Sequence, residues 1–135
     1  MAARIESHLT VLYEAPASPR LDRLVDATPP LRLRAGGVER WTSEPGIFVA
    51  VFDPHNDLRR FRAAALATDD PDYRPHITLL HRESVTSAPQ AEEAWLALHG
   101  ERFDFDFAVT ELVVYEERGG AWREVARPRF GHDAV

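Results

Sequence analysis

Two short stretches of this chain place a histidine and a threonine in the same order and spacing: His8-Leu9-Thr10-Val11 and His76-Ile77-Thr78-Leu79. In an extended strand, residues i and i+2 point to one face. Each stretch therefore sets an imidazole and a hydroxyl about 7 Å apart on one side, at roughly 3.3 Å of rise per residue. Leu9, Val11, Ile77 and Leu79 turn to the other side, where helices can cover them. Two such strands facing each other across a pseudo-two-fold axis would surround one cavity with two imidazoles and two hydroxyls. A neutral imidazole can take a proton from an attacking hydroxyl or water, and an imidazolium can protonate a leaving oxygen. Threonine hydroxyls can donate to non-bridging oxygens as charge builds there. That is acid–base chemistry suited to a phosphate diester, and it calls for no metal or other cofactor. A single His-x-Thr is ordinarily structural. Two copies argue for chemistry, because each puts a titratable group into an apolar run where Val or Ile would pack better.

The elements that must position these residues follow from the hydrophobic pattern. His8-Leu9-Thr10-Val11-Leu12-Tyr13 reads as a strand that ends at Glu14-Ala15-Pro16. A short helix follows Pro19, with Leu21, Leu24 and Val25 on one face, and Pro29-Pro30 breaks it. Leu31-Arg32-Leu33-Arg34 alternates, Ala35-Gly36-Gly37 turns or bulges, and Val38-Glu39-Arg40-Trp41 continues. Ile47-Phe48-Val49-Ala50-Val51-Phe52 is the most apolar strand and reads as buried on both faces. Asp53 as N-cap and Pro54 at the first helical position predict a helix over 55–66 that buries Leu58, Phe61, Ala65 and Leu66. The second half repeats this order with a strand at 76–80 and a helix over 89–98 that buries Ala94, Trp95 and Leu98. Phe103-Asp104-Phe105-Asp106-Phe107 alternates as a half-buried strand. A strand at 110–115, a hairpin turn at Arg118-Gly119-Gly120 and a returning strand at 122–126 complete the chain.

Composition narrows the chemistry further. The chain has 135 residues, fits one domain, and carries a formal charge of −6. It has no cysteine, which removes disulfides, a thiolate nucleophile and cysteine-ligated metal sites. All sixteen basic residues are arginine. The absence of lysine excludes a P-loop lysine, a Schiff base and a nucleotidyl-lysine intermediate. The acidic balance argues against coating long nucleic-acid duplexes but not against holding one small phosphate ester. No apolar run reaches the roughly 20 residues of a membrane span, and residues 1–7 form no signal-peptide core. A soluble, cytoplasmic monomer is expected.

The motifs and their order resemble the 2H (two-histidine) phosphoesterase superfamily, which includes bacterial 2′-5′ RNA ligases or RNA 2′,3′-cyclic phosphodiesterases. The resemblance runs from His8 to about Gly131. It rests on His8-Leu9-Thr10-Val11, on Arg74-Pro75-His76-Ile77-Thr78-Leu79-Leu80, and on the strand and helix just before this second motif. Glu111-Leu112-Val113-Val114-Tyr115 and Trp122-Arg123-Glu124-Val125-Ala126 also look like the family's ending. It implies an α+β fold of two pseudo-symmetric lobes, antiparallel sheets with outer helices around a central cleft, formed by halves of about 1–70 and 71–131. The resemblance further implies hydrolysis of 2′,3′-cyclic phosphates or 2′-5′ linkages, at RNA ends or on small nucleotides, with 2′-5′ ligation as the reverse reaction. His8 would donate the proton to the leaving group, His76 would activate water, and Thr10 and Thr78 would hold the phosphate. Two departures stand out. Longer members carry a strand and helix before the first motif, where this chain has seven residues, so it is N-terminally shortened. Where the family often has an arginine five residues after the second histidine, this chain has His81, with Arg82 beside it.

Tyr13 and His81 sit at matching offsets after the two motifs and are candidates for the cleft mouth, although alternation sends both to the face away from the histidines. Trp41 and Tyr115 are candidates for stacking on a base, against the commoner role of aromatics as core. Arg59, Arg60 and Arg62 read as a solvated helix face. No spacing of histidines and carboxylates resembles a metal set. The competing class is a non-catalytic nucleotide- or RNA-end-binding module on the same fold. The retention of both histidines and both threonines opposes it.

Overall fold

The run of apolar residues with least polarity becomes the inner strand that its composition predicts. A computed structural model, which describes residues 8–12, 16–41, 45–80 and 86–131, places β2 (Ile47–Phe52) between β1 (Leu31–Arg40) and β3 (His76–Leu80). β4 (Arg102–Val109) lies on the outer side of β1, and every pairing in this four-stranded sheet is antiparallel. β5 (Val114–Arg118) and β6 (Ala121–Ala126) form a separate antiparallel hairpin. Three helices complete the described chain: α1 (Pro19–Asp26), α2 (Asp57–Leu66) and α3 (Ala88–Leu98). The architecture is the α+β arrangement of antiparallel sheets and helices that the sequence predicts. The larger sheet takes β1 and β2 from the first half of the chain and β3 and β4 from the second, so it crosses the division at residue 70.

One face of this sheet builds the core. Leu21 and Val25 of α1, Leu58 and Phe61 of α2, Leu31 and Leu33 of β1, and Val51 of β2 join Val11, Val114 and Phe130 in a single buried cluster. Each fully buried aliphatic side chain contributes about 1.5–3 kcal/mol by leaving water. α1 begins where the Ser18 hydroxyl accepts the Leu21 N–H at 3.1 Å, with Pro19 supplying a pre-set φ at the first turn. α2 is fastened to β1 by Asp57. Its carboxylate accepts from the Arg32 backbone N–H at 2.9 Å and from the Arg32 guanidinium at 2.8 and 3.0 Å. These Arg32 hydrogen bonds outweigh desolvation and, with the nearby Arg60 charge, hold the Asp57 carboxyl down at about 2.

The structure departs from the predicted elements at the start of α2, in the burial of α3 and β4, and at β5, which begins at Val114 rather than 110. α2 begins at Asp57 rather than 55, after a turn closed by Asn56 N–H on the Asp53 carbonyl. Asp53 still serves the helix start, because its carboxylate accepts the N–H groups of Leu58 and Arg59 at 3.3 and 2.9 Å. Gly36 and Gly37 bulge within a continuous β1, one of the two forms their sequence allows, and the Phe52 ring lies over Gly36 so closely that a Cβ there would meet it at 2.5 Å. α3 buries none of its residues, so Ala94, Trp95 and Leu98 are only half-buried. Phe103 and Phe105 are also exposed, because β4 is an edge strand that extends past the helices. The hairpin turn at Gly119 and Gly120 forms as predicted, both with positive φ (61° and 80°), which glycine adopts without strain.

Candidate functional site

β3 carries the second motif, and the chain segment 8–12 carries the first. They do not face each other across a gap. Leu9 and Ile77 form an antiparallel bridge, so the two motifs lie side by side. Residues directly opposite in an antiparallel pair share a face. Leu9 and Ile77 both pack against the core cluster. The residues on either side of each, His8 and Thr10, His76 and Thr78, consequently share the opposite face. The same register sets His8 across from Thr78 and Thr10 across from His76, with Cα separations of about 4.5–5.5 Å expected for such pairs. The pseudo-two-fold axis passes between Leu9 and Ile77. Two imidazoles and two hydroxyls thus lie on one face of the paired segments.

β2 continues this face beneath the motifs. Phe48 pairs with Thr78 and Ala50 with His76, while Val49 and Val51 turn into the core. Phe48 and Trp41 stack at 4.3 Å, and both meet the His76 ring edge-on, at 5.5 and 5.1 Å between centroids. The His76 ring is fixed from the other side by its Nδ1, 2.9 Å from the Arg74 carbonyl. A carbonyl only accepts, so Nδ1 carries the proton and the neutral ring keeps its lone pair on Nε2. His76 is therefore oriented to take a proton at Nε2. Leu79 is the extra residue of a bulge, since Leu80 and Thr78 pair with the adjacent Ile47 and Phe48. That bulge leaves Leu79 at 40% exposure instead of under a helix.

The first motif is held differently. The Tyr73 hydroxyl donates to the Thr10 carbonyl at 2.6 Å, and Arg62 Nε donates to the Val11 carbonyl at 2.8 Å. The Arg62 guanidinium lies over the Tyr73 ring, 3.5 Å from its centroid. Arg62 is buried, with 8% of its surface exposed, which corrects its reading as part of a solvated face. Arg59 and Arg60 do lie on that face and pair with Asp69 and Asp57.

Two further residues share the face of the four motif side chains. Glu39 pairs with Phe48 across β1 and β2, and the Arg74 guanidinium lies 3.7 Å from the Glu39 carboxylate, so this cation extends over the motif face. Phe52, two residues beyond Ala50 on β2, is 54% exposed and presents one ring face outward while the other covers Gly36. Neither residue stands out in the sequence as a candidate, although parity carries the signal. Arg74 stands two residues before His76, and Phe52 stands at an even spacing from Phe48 in an unbroken strand. Of the sequence candidates, Trp41 is placed against His76. Tyr115 lies in β5 opposite Glu124, and no described contact joins it to the motifs. Tyr13, His81 and Arg82 lie outside the described residues. Two grooves of about 350 and 430 Å³, one lined by Arg32, Pro54, His55 and Asp106 and the other by Pro29, Pro30, Asp57 and Arg60, include none of the motif residues. Among the described residues, no three His, Asp or Glu side chains converge as a metal cage would require.

The fold is the one seen in LigT and related phosphoesterases. The crystal structure of Escherichia coli LigT complexed with NADP+ superposes with a TM-score of 0.59 at 19% identity, covering 94% of this chain and 77% of that one. Escherichia coli LigT complexed with 3′-AMP gives 0.59 at 20% identity, over 93% and 76%. TT0787 of Thermus thermophilus gives 0.58 at 18% identity, over 96% and 80%. No curated protein matches significantly. The model of the 2′-5′ RNA ligase superfamily matches residues 1–121, and the chain belongs to that superfamily.

Proposed function

We propose that the protein is a metal-independent phosphodiesterase that opens 2′,3′-cyclic phosphates, or cleaves 2′-5′ linkages, at RNA ends or on small nucleotides. The observation that carries this reading is the Leu9–Ile77 pairing, which gives His8, Thr10, His76 and Thr78 one common face. In the forward direction, His76 Nε2 takes a proton from water as its oxygen attacks phosphorus. His8 protonates the departing 3′ oxygen as its bond to phosphorus breaks, and a 2′-phosphate remains. The reverse direction joins a 2′-phosphate to a hydroxyl and releases water, which makes hydrolysis the favoured course in water. Thr10 and Thr78 donate to the non-bridging oxygens as charge develops there. Arg74 supplies a guanidinium on the same face, and a base held through its ribose to the phosphate reaches the exposed ring of Phe52, where stacking is worth about 1–3 kcal/mol.

The test is incubation with 2′,3′-cyclic nucleotides in excess EDTA, with the product isomer identified. Turnover to the 2′-phosphate is expected, and its loss in His76→Ala. Turnover that appears only with added divalent metal overturns the mechanism. Tight binding of a nucleotide 2′-phosphate with no hydrolysis of any cyclic phosphate assigns the chain to the binding-module class instead.

A further inference from the structure

We infer that Arg62 and Tyr73 form a clamp that positions the first histidine strand, and that turnover depends on it. This rests on the function proposed above. The segment 8–12 meets the larger sheet, among the described residues, at one bridge, Leu9 to Ile77. That bridge fixes which residue lies opposite which. The clamp takes the next two carbonyls in the chain. Tyr73 Oη holds the Thr10 carbonyl at 2.6 Å and Arg62 Nε holds the Val11 carbonyl at 2.8 Å. The guanidinium then stacks on the Tyr73 ring at 3.5 Å, so the two side chains brace each other as well as the strand.

The cost of Arg62 supports a positioning role. Burying a guanidinium is unfavourable unless its donors and charge are met. No carboxylate lies within ion-pair distance of Arg62 among the described residues, although its charge helps lower the Asp69 carboxyl. A methionine or leucine on α2 would fill this space beside Phe61 and Leu58 without that cost. What an apolar side chain could not do is grip a carbonyl of the motif strand. Tyr73 has the matching position on the other motif, three residues before His76. The clamp therefore links the strand of His8 to the lead-in of the strand of His76, and it sets the separation between the proton donor and the proton acceptor. Arg62 and Tyr73 touch the backbone of the motif rather than the phosphate, so they are positioning residues.

Tyr73→Phe is the decisive variant, since it keeps the ring under Arg62 and removes only the hydroxyl on Thr10. Arg62→Lys keeps the charge but loses the planar, stacked donor. Backbone hydrogen exchange should rise about five- to tenfold at Thr10, Val11 and Leu12 in Tyr73→Phe, the worth of one hydrogen bond, while β1 and β2 stay protected. With a 2′,3′-cyclic nucleotide as substrate, kcat should fall about tenfold at nearly constant KM, as expected when a small misplacement affects the chemical step rather than binding. A core control, Phe130→Leu, should lower stability without either change. Unchanged exchange at 10–12 in both variants overturns the clamp. Raised exchange with unchanged kcat overturns its role in turnover. If the wild-type chain hydrolyses no cyclic phosphate, the proposed function fails, and the holding of the strand is then decided by exchange alone.

Discussion

β3 is a full member of the sheet, bonded along its length to β2, whereas the segment 8–12 meets β3, among the described residues, at one bridge. The imidazole of His76 is wedged between the Arg74 carbonyl and the Trp41–Phe48 pair, so its ring is fixed as well as its backbone. On the other strand, Tyr73 and Arg62 hold the backbone carbonyls of Thr10 and Val11. On the proposed function, the motifs match because both present an imidazole and a hydroxyl to one phosphate. β3 is held by its ladder to β2, and the segment 8–12 beside it is gripped by side chains from α2 and from the lead-in to β3.

The strongest way to break the comparison is to remove the imidazoles. His8→Ala and His76→Ala should each lower kcat by about 10²–10⁴, the usual worth of one general acid or base. The double variant should cost far less than the product, because a site without one partner already cannot run the coupled transfer. Near-full kcat in His76→Ala overturns the assignment of the base.

A second prediction sharpens the comparison by touching neither strand. Asp57 is nearly covered, with a side-chain exposure of 10%, and Arg32 holds its carboxyl at about 2 against an ordinary 3.8. A depressed carboxyl stabilises the fold where it is ionised. The contribution is full above the ordinary value and drains away as pH falls from about 4 through 2, amounting to about 2 kcal/mol at neutral pH. Urea unfolding of Asp57→Asn should therefore show a loss of that size at pH 7 and a flatter dependence between pH 4 and 2. Its kcat should stay within about twofold of wild type, because the residues Asp57 engages, Arg32 and Arg60, are not among the motif residues. A large fall in kcat with unchanged stability would show that this anchor reaches the motif face after all.

What the sequence made legible follows the short range of the information. The parity of His8 with Thr10 and of His76 with Thr78 is a property of three consecutive residues, and it sets the four side chains on one face once the strands are paired. Ser18 before Pro19 and Gly119-Gly120 in the hairpin are likewise local signals, and both are realised. Side-by-side pairing of the motifs is not legible, because nothing in either stretch states which strand is its neighbour. Three arginines in four positions on a helix normally face water, and nothing local sets Arg62 apart from the other two. Its burial depends on a carbonyl 51 positions away, and that of Tyr73 on one 63 positions away. The exposure of Phe103 and Phe105 has the same origin. Alternation marks a strand, but edge position is decided by how many strands lie beyond it.

The smallest effect gives the finest test of the asymmetry. Trp41→Leu removes one of the two rings that meet His76 edge-on and leaves Phe48 and the Nδ1 bond in place. An aromatic pair is worth about 0.5–1.5 kcal/mol beyond its burial, so kcat should fall by about two- to tenfold. Trp41 acts on the ring of β3, whereas Tyr73→Phe loosens the backbone of the segment 8–12. If the two histidines are positioned by separate supports, the two losses should multiply in the double variant, agreeing with the sum of free energies within about 0.5 kcal/mol. A double variant markedly better or worse than that product would mean that the rings and the clamp hold a single unit. The two strands would then move together, and the division of labour between ladder and side chains would have to be replaced by one shared support beneath the phosphate.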